Sequence, residues 1–175
     1  MPNTTPVIHT TAKQRKQFDC GIHPLNDFLR RHSNQNHLVG FGRTYVLVID
    51  EKIIGYYTVS MSNSVEFVSV KSESIEFPKY PIPVGLIGRL AVSKDNQKQG
   101  WGKWLLIDAV RRIYDAAQEV GAHAVLVDAK DESAENFYKQ YGFSPFPSKP
   151  SSLYIPLDSV AGLMASDQYS WTSKN

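Results

Sequence analysis

Along this chain the spacing of apolar positions switches between a helical and a strand period, and each switch marks an element. From Pro24 to Leu38, Leu25, Phe28, Leu29 and His32 fall on one side of a helix, while Arg30 and Arg31 point elsewhere. Pro24 suits a first helical turn, where its missing N–H costs nothing, and Gly40 and Gly42 end the element. Arg43 to Asp50 and Ile53 to Ser60 are rich in β-branched and aromatic residues and are separated by Glu51-Lys52. That is a hairpin, whose second strand can run on to Asn63. Val7 to His9 reads as a short strand ahead of it.

The second half opens with the irregular stretch Val65 to Pro83, closed by Pro78, Pro81 and Pro83. It predicts a partly extended excursion over one face, in which Lys71, Lys79 and Tyr80 either touch a substrate or belong to a plain surface loop. Leu86 to Val92 follows as a buried strand, then a polar loop, Gly100 and Gly102, and a helix from Lys103 to Glu119. Leu106, Val110, Ile113, Ala117 and Val120 line one face of that helix, and Gly121 stops it. Ala122 to Asp128 is a near-continuous apolar run, typical of a strand buried on both faces. Asp131 to Tyr141 is a helix with Phe137 and Tyr141 on one side and Tyr138 beside them, ended by Gly142. Phe143 to Phe146 and Leu153 to Leu157 are short strands around a Pro/Ser loop, and Asp158 to Met164 is a last helical piece.

The order helix, hairpin, then β–α–β–α–β–β defines a mixed α/β (α+β) class. A central sheet of about six to seven strands is expected, with helices on both faces and a parallel pair around the Lys103–Glu119 helix. At 175 residues the chain is expected to be one domain, 1–175, with its tail frayed beyond about residue 165.

Composition narrows the class. Apolar residues make up 42% and charged residues 21% of the chain, as in an ordinary globule. No run approaches the roughly 18 apolar residues needed to span a bilayer, and no basic-then-apolar leader is visible. The lone Cys20 excludes an intrachain disulfide, so a cytoplasmic protein without membrane contact is expected. Repeats, metal-spaced Cys/His pairs, HExxH, a Walker loop and a GxSxG elbow are all missing, so no metal is expected. Net charge is +2, but residues 1 to 43 hold six Lys/Arg against two acids, +4, leaving −2 for the rest. Such asymmetry suits either a nucleic-acid face or a solvated helix.

The glycine loop carries the first chemical suggestion. Backbone N–H groups at the start of a helix have no intrahelical partner, and glycine lets a phosphate approach them closely. A phosphate-bearing cofactor is therefore expected at Gln97, Lys98, Gln99, Gly100, Trp101, Gly102 and Lys103.

Gln97-x-x-Gly100-x-Gly102 after an apolar strand, followed by Ala134-x-x-Phe137-Tyr138-x-x-x-Gly142-Phe143, resembles the GNAT acetyltransferases across roughly residues 40 to 157. The resemblance implies acetyl-CoA, with its pyrophosphate on Lys98 to Lys103 and its pantetheine along Leu90, Ala91 and Val92, where two parallel strands splay apart. Asn136 and Phe137 belong to the same implied cofactor site. A narrower resemblance covers nearly the whole chain: Phe18-Asp19-Cys20-Gly21, Leu25-Asn26-Asp27-Phe28-Leu29, Asn36, Gly55-Tyr56-Tyr57-Thr58, Gly88-Arg89-Leu90-Ala91-Val92 and Val127-Asp128-Ala129. It is similar to the GNAT toxins of bacterial toxin–antitoxin modules. These imply acetylation of the α-amino group of an aminoacyl-tRNA and a block of translation. They also imply a ribbon-helix-helix antitoxin, operator DNA bound by the pair, and a homodimer.

Acetyl transfer needs a neutral amine, a polarised carbonyl and a proton for the departing thiolate. A free α-amino group has a pKa of ~7.7–8.0, and an ester beside it lowers that further, so no strong base is required and none stands out. Tyr138 is the candidate acid, because a phenol stays protonated at neutral pH; without the motif it would read as a packed aromatic. Backbone N–H groups near Leu90 to Val92 are candidates for holding the thioester oxygen. Arg89 either contacts RNA or pairs with Asp128 or Glu132. Arg30, Arg31, Lys13, Arg15 and Lys16 track the acceptor stem in the toxin reading and are plain surface otherwise. Trp101 either packs over adenine or lies on the surface, and Cys20 reads as a small buried residue. Two rivals stay open: acetylation of a small-molecule amine or a protein N-terminus, and a non-catalytic CoA-binding module.

Overall fold

The computed structural model describes residues 2–165. Seven strands are present: β1 (Thr4–Pro6), β2 (Arg43–Ile49), β3 (Lys52–Ser64), β4 (Ile82–Val92), β5 (Ala124–Asp128), β6 (Ser144–Pro145) and β7 (Ser152–Pro156). They form one sheet in the order β1-β2-β3-β4-β5-β7-β6. The helices are α1 (Ala12–Gln17), α2 (His23–Asp27), α3 (Ser33–Val39), α4 (Trp101–Val120), α5 (Glu132–Gln140) and α6 (Leu157–Ala165). Neighbouring β4 and β5 are joined through α4, the crossover that a parallel pair demands, so the sheet is mixed as expected. Two compact units divide the chain: Met1–Met61 with Leu86–Ala109, and Ser62–Gly85 with Val110–Asn175.

In the first unit, Thr11 opens α1 with a reciprocal box. Its hydroxyl accepts the Gln14 N–H at 3.1 Å, and the Gln14 side chain accepts the Thr11 N–H at 2.8 Å. Pro24 stands in the first turn of α2, and a π-helical turn over Phe28–His32 carries the chain into α3. Gly40, at φ +80°, closes α3. The β2–β3 hairpin turns on Asp50 and Glu51, at φ 47° and 61°, the two left-handed positions of a tight turn that matches strand twist. The core gathers Val7, Phe18, Phe28, Leu29, Val46 and Tyr56. Tyr56 packs edge-on to Phe18 and parallel to Phe28, and its hydroxyl donates to the Leu25 carbonyl at 2.8 Å.

Gly55 admits the close approach of β4 and α4. A Cβ there would stand 2.6 Å from Leu105 Cδ1 and 2.7 Å from the Ala91 carbonyl oxygen. Gly55→Val should therefore cost about 1–3 kcal/mol or more through overpacking. A fall in the urea midpoint at unchanged m-value checks it; an unshifted midpoint contradicts it.

In the second unit, β5 is buried along Ala124 to Val127 and pairs antiparallel with β7 from Ala124↔Pro156 to Asp128↔Ser152. The excursion expected over Val65–Pro83 is anchored. It makes a helical turn at Glu66–Ser69, and Phe67 is fully buried against Phe77, His123, Phe146 and Tyr154, with ring centroids 5.0–5.2 Å away.

Three points of the sequence reading need correction. Val7–His9 is a 3-10 turn, not a strand; Val7 goes into the core and its carbonyl accepts the Thr10 N–H at 2.9 Å. The strand is Thr4–Pro6, paired with Tyr45–Leu47. Helix α1 was not anticipated, and β4 begins at Ile82, four residues before Leu86. The expected fraying of the tail lies outside the described residues.

Candidate active site

The loop between β4 and α4 is held from below by the segment Phe18–Gly21. The Asp19 carbonyl accepts the Lys94 N–H at 2.9 Å, and the Asp19 carboxylate meets Lys94 Nζ at 2.9 Å. The same carboxylate accepts the Gly21 N–H and the Asn26 amide, each at 2.8 Å, while Asn26 accepts the Cys20 N–H at 2.9 Å. Gln97 adds a clamp, donating to the carbonyls of Cys20 at 3.1 Å and Val92 at 3.0 Å. Thus the Phe-Asp-Cys-Gly and Leu-Asn-Asp segments, distant in sequence, set the base of the glycine loop. Cys20 is buried there, as a small packed residue.

Lys94 beside Asp19, with the Gly21 and Asn26 donors, holds the Asp19 carboxyl far below the usual carboxylate range. A depressed carboxyl contributes stability that is present above its unfolded pKa, near ~3.9, and is lost as pH falls below it. Asp19→Asn should therefore lower the urea midpoint at neutral pH and flatten its decline between pH ~4 and ~2. Parallel acid slopes for the two proteins would contradict this.

Above the clamp the backbone turns through two left-handed residues, Lys98 at φ 61° and Gly100 at φ 87°. Apart from its chain neighbours, no described atom lies within 4 Å of where a Gly100 Cβ would be, so the backbone is open at that point. Helix α4 starts at once, its Trp104 N–H reaching the Gly100 carbonyl at 3.1 Å, and its first N–H groups form an anion-binding end. Lys98 and Lys103 are exposed at this turn. Gln99 donates to the Asp95 carbonyl at 2.9 Å, and Trp101 meets Trp104 edge-on at 6.5 Å.

Arg89, on β4, lays its guanidinium 3.8 Å over the Phe28 ring. Of its two expected carboxylate partners, Asp128 is engaged by the Ser152 hydroxyl and by Lys149 at 3.6 Å. Beside the Arg89–Phe28 stack is a pocket of about 190 Å³ lined by Phe28, Asn36, Thr44, Thr58, Gly88 and Arg89, among others. Sequence reasoning missed it, because its walls come from four segments that only the folded hairpin and β4 assemble.

The basic residues are only partly free to meet a ligand. Arg30 donates to the Phe18 carbonyl at 2.9 Å, and Arg31 pairs with Asp27 at 2.8 Å. Arg15 donates to the carbonyl of Thr10 at 2.7 Å, and its Nε is buried without a partner. Lys13 and Lys16 are exposed on α1. The first unit as a whole carries eleven Lys/Arg against six Asp/Glu, a net +5 in a chain of net +2.

In the second unit, Asp131 caps α5 by accepting the Ala134 N–H at 2.8 Å. Gly142, at φ 91°, turns the chain back so that the Phe143 N–H bonds the Tyr138 carbonyl at 3.2 Å. The Tyr138 ring is 9% exposed, between Phe137 at 5.3 Å and Phe143 at 5.6 Å. Burial pushes its phenol up to about 12, so it remains a proton donor throughout the physiological range. Asn136 is exposed beside it, and Phe137 also meets Tyr141 at 5.1 Å. Among the described residues, no cluster of His, Cys, Asp and Glu is arranged to hold a metal, and no helix is long and apolar enough to cross a membrane.

A strand running into an open glycine turn at a helix N-terminus suits a phosphate-bearing ligand. The model of the acetyltransferase (GNAT) domain matches residues 40–145, and the chain belongs to that family. A tRNA-acetylating toxin of Mycobacterium tuberculosis (strain ATCC 25618 / H37Rv) is 33% identical over 147 residues, 84% of this chain and 88% of that protein. The structure of AtaT complexed with acetyl-methionyl-tRNAfMet superposes with a TM-score of 0.83 at 30% identity, covering 94% of this chain and 99% of that one. A mutant AtaT toxin bound to the C-terminus of the antitoxin AtaR and acetyl-CoA gives 0.76 at 29% identity, covering 95% and 99%.

Proposed function

We propose that this acetyltransferase moves the acetyl group of acetyl-CoA to the α-amino group of an aminoacyl-tRNA and so blocks translation. The observation that carries the reading is the extent of the likeness to the tRNA-acetylating toxin. It takes in 84% of the chain, well beyond the residues 40–145 that the family model matches. The Asp19 and Asn26 contacts under the cofactor loop, and Lys13, Arg15, Lys16, Arg30 and Arg31, which would meet the acceptor stem, all precede the residues 40–145 of the family model.

The pyrophosphate of acetyl-CoA sits on the backbone of Lys98 to Lys103 at the start of α4, with Gly100 leaving room for it. Leu90, Ala91 and Val92 hold the pantetheine and thioester. The neutral amine attacks the thioester carbon, the N–C bond forms and the C–S bond breaks. The nitrogen gives up one proton and the sulfur gains one. Tyr138 donates toward the sulfur. A phenol at about 12 transfers its proton uphill to a thiolate whose acid has a pKa of ~8.5. Its part is therefore a hydrogen bond that strengthens as charge develops, and the proton that the sulfur finally gains is the one the amine nitrogen gives up.

The partners that go with this reading are a ribbon-helix-helix antitoxin, operator DNA bound by the pair, and a second copy of the chain, in the cytoplasm. Labelled acetyl-CoA incubated with a full set of charged tRNAs tests the substrate. Label should appear on one or a few aminoacyl species and vanish when the tRNAs are deacylated first. Transfer only to free amines or peptide N-termini would overturn the reading.

A further inference from the structure

The rim of the pocket beside Arg89 holds an aromatic ring with no internal duty. Phe41 is 78% exposed and makes no ring contact among the described residues. Its backbone, by contrast, is fixed. It lies between Gly40, which closes α3 at φ +80°, and Gly42, and its N–H donates to the Asn36 carbonyl at 3.0 Å. Leaving a phenyl ring in water forgoes the usual gain of burial, so a ring held out on an anchored backbone is suited to a ligand's flat surface.

The surroundings select that ligand. The same pocket is lined by the exposed Arg89, whose guanidinium is braced on Phe28 at 3.8 Å. Thr44, Thr58, Ser60 and Asn36 also line it, in a unit of net +5. A projecting aromatic, a cation and hydroxyls around a small cavity match an unpaired nucleotide end: a base to stack, a phosphate to neutralise and a short appended group to enclose. An apolar protein segment would leave the guanidinium and hydroxyls without use.

Building on the tRNA reading above, we propose that Phe41 stacks on an unpaired base at the 3′ end of the aminoacyl-tRNA. The aminoacyl residue then enters the pocket lined by Phe28, Thr44, Thr58 and Gly88. Phe41 is thus a substrate-binding residue that positions the ester, and it takes no part in proton transfer.

The test compares wild type, Phe41→Ala and Phe41→Trp on charged tRNA and on the methyl ester of the same amino acid, which has no base. Phe41→Ala should raise KM for charged tRNA about tenfold or more, as expected for a lost base–aromatic stack. Its kcat, its KM for acetyl-CoA and its rate on the methyl ester should stay at wild-type values. Phe41→Trp should restore the tRNA KM. An unchanged tRNA KM in Phe41→Ala, an equal loss on the methyl ester, or a loss confined to self-association or antitoxin binding would overturn the proposal while leaving the tRNA reading in place. If wild type labels no charged tRNA at all, the tRNA reading falls and takes this proposal with it.

Discussion

Tyr138→Phe should lower kcat by about a hundredfold or more, the usual cost of losing one hydrogen-bond donor aimed at developing charge, and abolish growth inhibition on expression. The ring is buried by Phe137 and Phe143, so phenylalanine keeps the packing, and acetyl-CoA should bind with unchanged Kd. The pH profile separates this role from a structural one. With the phenol near 12, kcat/KM of wild type should rise as the amine loses its proton, level off by about pH 8, and show no decline from Tyr138 up to pH 10. A descending limb between pH 8 and 10 in wild type that Tyr138→Phe removes would mean an ordinary or lowered phenol, contrary to its burial. Wild-type turnover and toxicity in Tyr138→Phe would remove Tyr138 from the chemistry altogether.

The second large effect is expected at Gly100. Nothing within 4 Å opposes a Cβ there, so Gly100→Ala meets no clash in the free protein. Its only internal cost is the left-handed backbone at φ 87°, about 1–2 kcal/mol for an alanine. On the proposed placement of acetyl-CoA, however, the added methyl stands in the path of the pyrophosphate toward the first N–H groups of α4. Acetyl-CoA affinity should fall about tenfold or more, measured by calorimetry, while the unliganded Tm drops by only a few degrees. Unchanged affinity would place the pyrophosphate elsewhere.

Much of this was legible because the chain states its periods clearly. The helical spacing of Leu106, Val110 and Ile113 and the apolar run Ala124–Val127 gave α4 and β5 to within a few residues. The hairpin was expected to turn at Glu51-Lys52, and it turns one residue earlier, at Asp50–Glu51. The errors have physical reasons. Helix α1 has six residues and no buried face, so periodicity could not reveal it; its one signal was the Thr11-x-x-Gln14 box. Val7–His9 looked like a strand because Val7 and Ile8 are β-branched, but the strand is the less apolar Thr4–Pro6, made by pairing with β2.

At the site, the glycine turn could be read locally, whereas its support could not. Asp19, Asn26 and Gln97 converge from positions up to 78 residues apart along the chain, and only tertiary hydrogen bonds join them. Arg89 illustrates the same limit. Sequence offered it RNA or a carboxylate, but the aromatic ring of Phe28 is what braces it. Aromatic partners carry no charge to suggest the pairing.

Mass spectrometry of the product reads the position of the acetyl group directly. Charged tRNA treated with enzyme and acetyl-CoA is digested to nucleosides, and the 3′-terminal aminoacyl-adenosine is fragmented. A single acetyl is expected on the α-nitrogen of the amino acid, absent without acetyl-CoA and strongly reduced with Tyr138→Phe. An acetyl on a base, on ribose or on a side chain, or an unmodified aminoacyl-adenosine, would contradict it.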